Sequence, residues 1–193
     1  MRTLSLLLLA STLSLTGCAE AERLTRVATD ATTPGGCSGS ELFCDDFDDE
    51  NGGAAQLNAD PLSNWTVTRG TVDLIGAGDY DFAPGNGLYL DLDGSTRQAG
   101  RIELRRPVRL EPSTYRLSFR LAGSQGRDGD NRVTVRLGDL YDETFVVPTD
   151  QAFQTESQTV AVAVPQSASL SFDHAGTDSY GALLDVVRVE RVR

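Results

Sequence analysis

The chain has 193 residues, 39% of them hydrophobic and 23% charged, which fits a globular protein and excludes wholesale disorder. Its 17 basic residues, every one an arginine, face 28 acidic ones for a net charge of -11. Such acidity opposes non-specific contact with nucleic acid or anionic lipid, so no nucleic-acid partner is expected, and the length suits one domain of ordinary size.

The N-terminus reads as an export signal. Met1 and Arg2 form a short positive start, and residues 4–15 are apolar apart from small polar interruptions. That run is too short for a bilayer-spanning helix, which needs about 20 apolar residues. Leu15-Thr16-Gly17-Cys18 resembles the bacterial lipobox. The resemblance implies that Cys18 becomes a diacylated first residue after cleavage, with a plain signal peptide as the alternative. Each buried CH₂ contributes about 0.8 kcal/mol, and two chains suffice for stable anchoring. Ala19 rather than Asp follows the cysteine, so the expected location is extracytoplasmic, at a bacterial outer membrane. The partition expected is 1–17 signal peptide, 18–40 flexible tether and 41–193 folded domain. Within it, residues 19–36 are small and polar, end in Pro34-Gly35-Gly36 and carry no apolar period.

Cys37 and Cys44 are the remaining thiols. An even pair in an exported chain suggests a disulfide, and closing so short a loop contributes roughly 2.5 kcal/mol in the chain-entropy model. Free thiols and interchain pairing are the alternatives. Two cysteines and one distant histidine do not make a plausible zinc site.

From Glu41 the pattern alternates with period two. Tyr115, Leu117, Phe119 and Leu121 take one face, Arg116, Ser118 and Arg120 the other. Val133, Val135 and Leu137 stand against Arg132, Thr134 and Arg136; Val160, Val162 and Val164, then Leu170 and Phe172, continue the pattern. Such alternation marks strands with one buried side. The candidate spans are 41–48, 63–68, 71–75, 87–92, 100–105, 113–122, 131–138, 142–147, 155–164, 167–173 and 182–192. Thr68-Arg69-Gly70-Thr71 reads as a hairpin turn, and residues 123–131 as a longer loop joining the two arginine-faced strands. The fold class expected is all-β: a two-sheet antiparallel β-sandwich.

Residues 84–100, 113–139 and 168–190 together resemble secreted bacterial jelly-roll domains of the galactose-binding-like kind. "LFCDDFDD" at 42–49 resembles the opening strand of extracellular sugar-binding and sugar-cleaving sandwiches. A fold of this sort hosts many functions. In related carbohydrate-binding jelly rolls, an acidic residue before the last Val-x-Val strand and one after an aromatic in the first strand help hold a structural calcium. The resemblance therefore implies one calcium on Asp185 and Asp48, although Val186 stands where a second acid or amide is common. By parity Asp185 shares a face with Val187 and Val189; the other reading makes it a strand-end acceptor or an arginine's partner. Asp91 to Ser95 looks like a calcium loop but lacks the distal glutamate, and reads better as a strand entering a turn.

Tyr80, Phe82, Tyr141 and Tyr180 lie in or beside loops and are the candidate ligand contacts, because pyranose C–H faces stack on rings. Trp65, Tyr115, Phe119 and Phe172 read as core. His174 reads as a loop or capping residue, since no GxSxG elbow accompanies it. The acidic pairs Asp45 and Asp46, Asp48 and Asp49, and Asp91 and Asp93 are too ordinary in an acidic chain to define a glycosidase. Arg116, Arg120, Arg132 and Arg136 would form a basic stripe if their strands paired. The function expected is a non-catalytic, lipid-anchored module binding carbohydrate or a cell-surface polymer. An adhesion protein contacting envelope proteins, and a polysaccharide hydrolase or lyase, are the other classes.

Overall fold

The computed structural model describes residues 36–78, 80–125, 129–176 and 178–192. Cys18, the signal segment and most of the tether lie outside these. The strands run β1 (Phe43–Asp45), β2 (Trp65–Arg69), β3 (Asp73–Gly76), β4 (Leu88–Asp91), β5 (Arg101–Leu104), β6 (Val108–Leu110), β7 (Ser113–Gly123), β8 (Asn131–Leu137), β9 (Tyr141–Val147), β10 (Gln154–Val162), β11 (Gln166–Ala168), β12 (Leu170–Ala175) and β13 (Ala182–Arg191).

They form an antiparallel β-sandwich of jelly-roll type. One sheet has the order β10-β7-β13-β4-β3, with β1 also on β13; the other has the order β2-β5-β12-β8-β9; β6 and β11 make a separate ribbon. The inward residues of both sheets build one core, in which Trp65, Phe119 and Phe172 are fully buried. Trp65 and Phe119 each meet Phe172 edge-on, at centroid distances of 5.8 and 5.2 Å. That geometry suits the ring quadrupoles. The Trp65 indole donates to Asp45 Oδ2 at 2.9 Å, so its polar edge is also satisfied.

Three connections differ from the expected ones. β2 and β3 sit in different sheets, so Thr68 to Thr71 is a crossing and not a hairpin turn. β7 and β8 also lie in different sheets. Arg116 and Arg120 therefore point out of one sheet, Arg132 and Arg136 out of the other, and the basic stripe does not exist. Alternation tells which side of a strand is buried and is silent on which strand lies beside it. The span expected at 167–173 divides into β11 and β12, which belong to different sheets.

A further difference concerns the face of Asp185. The β13–β7 register shifts between Asp185 and Arg188, and Val186 has φ 44°. This bulge inserts one residue and reverses the face of everything before it. Leu184 and Val187 therefore both point inward, while Asp185 pairs in register with Arg120 on the outer side. The parity argument that put Asp185 beside Val187 fails for this reason.

Cys37 and Cys44 form the disulfide, with Cα atoms 5.6 Å apart. The Cys37 N–H also donates to Asp46 Oδ2 at 3.0 Å. The end of the segment read as tether is thus fastened to β1.

Candidate functional site

The two sheets present very different outer faces. On the six-stranded sheet, the connection from β3 to β4, described over residues 77–78 and 80–87, folds back across the strands. It begins at Gly76, where φ is +110° and a Cβ would collide with the Gly87 carbonyl and the Tyr89 ring. Gly87 has φ +74°, and a Cβ there would strike the Asp48 carboxylate. Both positions therefore require glycine.

Beneath this flap lies a second small apolar cluster of Ile75, Tyr89, Ala122 and Leu183, with Phe82, Ala83 and Phe153 packed on it. The Tyr89 hydroxyl donates to Asp81 Oδ1 at 2.9 Å and accepts from the Ala83 N–H at 3.0 Å. Burial, with Asp81 beside it, holds this phenol well above its usual range. Asn86 Nδ2 donates to the Ala83 carbonyl at 2.8 Å, and its Oδ1 accepts from Arg120 Nη2 at 2.9 Å. The flap is thereby tied to β4 and β7.

Arg120 is the hub. Its Nη1 donates to Asp185 Oδ2 at 2.8 Å, and its guanidinium carbon lies 4.6 Å from the centroid of Phe153. The side chains of Arg120 and Asp185 are 14% and 1% exposed. Burial pushes the Asp185 carboxyl up to about 7; Arg120 and the Val186 N–H pull it down, and Asp48 and Asp46 add to the rise.

The aromatic candidates separate at this point. Phe82 on the flap and Tyr180 on the β12–β13 loop come together, with ring centroids 6.1 Å apart. Tyr180 is 42% and Tyr80, on the same flap as Phe82, 64% exposed. Tyr141 opens β9 opposite Leu137, at the far end of the sandwich, where its hydroxyl donates to Glu143 Oε2 at 2.8 Å. Three of the four residues thus lie on two neighbouring loops, and Tyr141 is not among them.

Buried carboxylates hold the loop that carries Tyr180. Asp93 Oδ2 accepts from the N–H groups of Asp178 and Ser179 at 3.0 and 3.3 Å, and Asp91 Oδ1 from Gly181 at 2.8 Å. Burial raises both carboxyls, against the pull of these backbone bonds. The Asp91 to Ser95 stretch is a strand entering a turn, and its acids serve as loop anchors. Next to it, a cleft of about 620 Å³ is lined by Arg69, Gly70, Gln98, Ala99, His174, Ala175 and Gly176. His174 is not the loop residue expected: it lies within β12, fully buried, with Nε2 3.0 Å from Asn131 Oδ1. Burial lowers its pKa to about 4, so the ring is neutral near pH 7.

The residues proposed for calcium are drawn near one another, close enough for Asp48 to raise the Asp185 pKa. Three of their four carboxylate oxygens nonetheless accept hydrogen bonds within the protein. Asp185 accepts from Arg120 and from the Val186 N–H, and Asp48 Oδ1 accepts from the Leu88 N–H at 2.7 Å. Calcium takes six to eight oxygen ligands. Among the described residues no group of three or more His, Cys, Asp or Glu side chains gathers to hold a metal. In this arrangement the donor set does not fit calcium: the cation beside Asp185 is a guanidinium. The sequence signal missed was Arg120, hidden among arginines that alternate alike along β7.

No protein-family model and no curated protein matches the chain. Solved structures similar to it include the CBM22-1 xylan-binding domain from Paenibacillus barcinonensis Xyn10C, at 18% identity and TM-score 0.46, covering 79% of this chain and 95% of that one. A family 35 carbohydrate-binding module from Clostridium thermocellum is similar at 15% identity and TM-score 0.44, covering 71% of this chain and 98% of that one. An exo-β-1,3-galactanase from Phanerochaete chrysosporium matches at 18% identity and TM-score 0.42, over 71% of this chain. The match spans only 29% of the galactanase. Similarities this distant assign neither a ligand nor an activity to this chain.

Proposed function

We propose that this protein is a carbohydrate-binding module that holds its ligand at the rim of the flap. The observation that carries the reading is the pairing of Phe82 with Tyr180 on two loops, each held by buried polar groups, with Tyr80 exposed on the same flap as Phe82. Rings fixed in advance present apolar faces to pyranose C–H groups with little ordering cost on binding. Asp81, Asn86 and Gln125 sit on or against the same loops and offer hydroxyl partners.

No covalent chemistry forms part of this proposal. Asp45, Asp91 and Asp93 each accept backbone or indole N–H bonds inside the fold, which is a structural use of these acids. The lipobox-like Leu15 to Cys18 supports a diacyl anchor at Cys18 and an extracytoplasmic, outer-membrane location. Cys18→Ser should move the protein from the membrane fraction to the soluble one.

Affinity electrophoresis against xylan, galactan, mannan and β-glucan tests the binding site. Retarded migration, abolished in Phe82→Ala and Tyr180→Ala, supports it. Migration unaffected by every polymer, or retardation that survives both substitutions, overturns it. Release of reducing ends from any polymer would favour a hydrolase or lyase instead, and capture of envelope proteins alone an adhesion role.

A further inference from the structure

A second groove lies at the end of the five-stranded sheet away from His174. Its volume is about 510 Å³, within the range of small-ligand sites. It runs between β1 and the start of β2; the β5–β6 connection supplies Arg105 and Arg106 to its wall, and β6 supplies Arg109. Leu42 and Phe43 give it an apolar side, and Leu42 is 44% exposed. No acidic residue lines it, in a chain whose net charge is -11.

The charges are arranged for use. Arg105 Nε donates to the carbonyls of Leu62 and Trp65, both at 2.9 Å, which fixes the base of its guanidinium. Among the described residues no carboxylate pairs with Arg105 or Arg106. Arg109 meets Glu111 at 3.2 Å, but their side chains are 81% and 53% exposed, so the pair is weak and exchangeable. The acids behind the groove are occupied. Asp45 accepts from Phe47, Asn64 and Trp65, and Glu50 from the N–H and hydroxyl of Ser63.

We propose that this groove binds an anionic glycan, its guanidinium groups taking a carboxylate or sulfate while Leu42 and Phe43 meet the sugar ring. Forked guanidinium groups match such oxyanions in geometry as well as charge. The chain's overall acidity favours this occupant over an anionic bilayer. A flat membrane would face the whole negative molecule, whereas a single glycan strand in the groove feels mainly charges within a Debye length of about 8 Å. The inference is independent of the flap site.

Calorimetric titration at low salt with oligogalacturonate, and separately with a sulfated galactan oligosaccharide, tests it on the whole chain. At least one should bind, lose at least about tenfold in affinity in Arg106→Gln/Arg109→Gln, and weaken steeply with salt. Phe82→Ala should leave that affinity unchanged. Both substituted arginines are exposed and lie away from the core bonds of Arg105, and an unchanged melting temperature confirms the fold. Absence of binding by both oligosaccharides, an undiminished affinity in the double variant, or binding of the chain only to phosphatidylglycerol vesicles would overturn the proposal.

Discussion

The outward residues of the two sheets obey the same alternation yet have different fates. On the five-stranded sheet they meet water. Arg136 reaches Asp142 at 2.9 Å and Arg69 reaches Asp173 at 2.7 Å, with side chains 38%, 61%, 52% and 18% exposed. Exposed pairs of this kind contribute about 0–1 kcal/mol each. On the six-stranded sheet, residues 80–87 of the flap cover the equivalent positions, and Arg120 and Asp185 become an interior pair. An outward position in a strand is therefore not yet a surface position. What lies over it decides whether its charge is solvated or becomes part of a built site.

The largest effect expected from breaking this contrast is at Arg120. Arg120→Ala leaves Asp185 buried without its cation and should cost about 3–5 kcal/mol in urea unfolding. Arg136→Ala, on the open face, should cost about 1 kcal/mol or less. Equal losses at the two sites would erase the distinction. Replacing both members of the buried pair, as Arg120→Met/Asp185→Leu, should recover much of the stability.

A smaller loss is expected at Asp93. Asp93→Ala strands the N–H groups of Asp178 and Ser179 and should cost about 1–3 kcal/mol, with faster hydrogen exchange across 178–181. If exchange there is unchanged, the carboxylate is not what holds the Tyr180 loop.

The pH dependence sharpens the picture further. His174, lowered to about 4, contributes stability that is lost as pH falls from about 6.5 towards 4, because the unfolded ring binds the proton more readily. Asp185, raised to about 7, acts in the opposite sense: stability falls as pH rises from about 4 through 7. The two slopes oppose each other over the shared window. His174→Gln should expose a stability that declines steadily from pH 4 to pH 7. His174 is the only histidine, so its ring protons can be followed by NMR; a midpoint near 6.5 would contradict its burial. The smallest effect expected is that of chelation. With a guanidinium beside Asp185, EDTA should leave the melting temperature unchanged, whereas loss of a bound structural ion would lower it.

Period-two alternation made the strands and their buried sides legible, because a one-sided strand writes its orientation into every second residue. Cys37 and Cys44 were legible for a similar reason: an exported chain rarely leaves a close pair unjoined. Strand partnership was not, since β2 and β3 are neighbours in sequence and lie in opposite sheets. Nor was the face of Asp185, because a one-residue bulge at Val186 leaves no pattern that a period could detect. Phe82 and Tyr180 could be chosen as loop aromatics, but their meeting depends on a flap whose path is set by glycines and by contacts distant in sequence. Arg120 became identifiable only with its cover in place.

The proposed ligand site is the rim of the flap. Isothermal titration of an oligosaccharide from whichever neutral polysaccharide retards the protein, compared across wild type, Phe82→Ala and Tyr141→Ala, tests this most directly. The prediction is an affinity reduced at least about tenfold by Phe82→Ala and unchanged by Tyr141→Ala. Full affinity in Phe82→Ala with loss in Tyr141→Ala would place the ligand at the opposite end and contradict it.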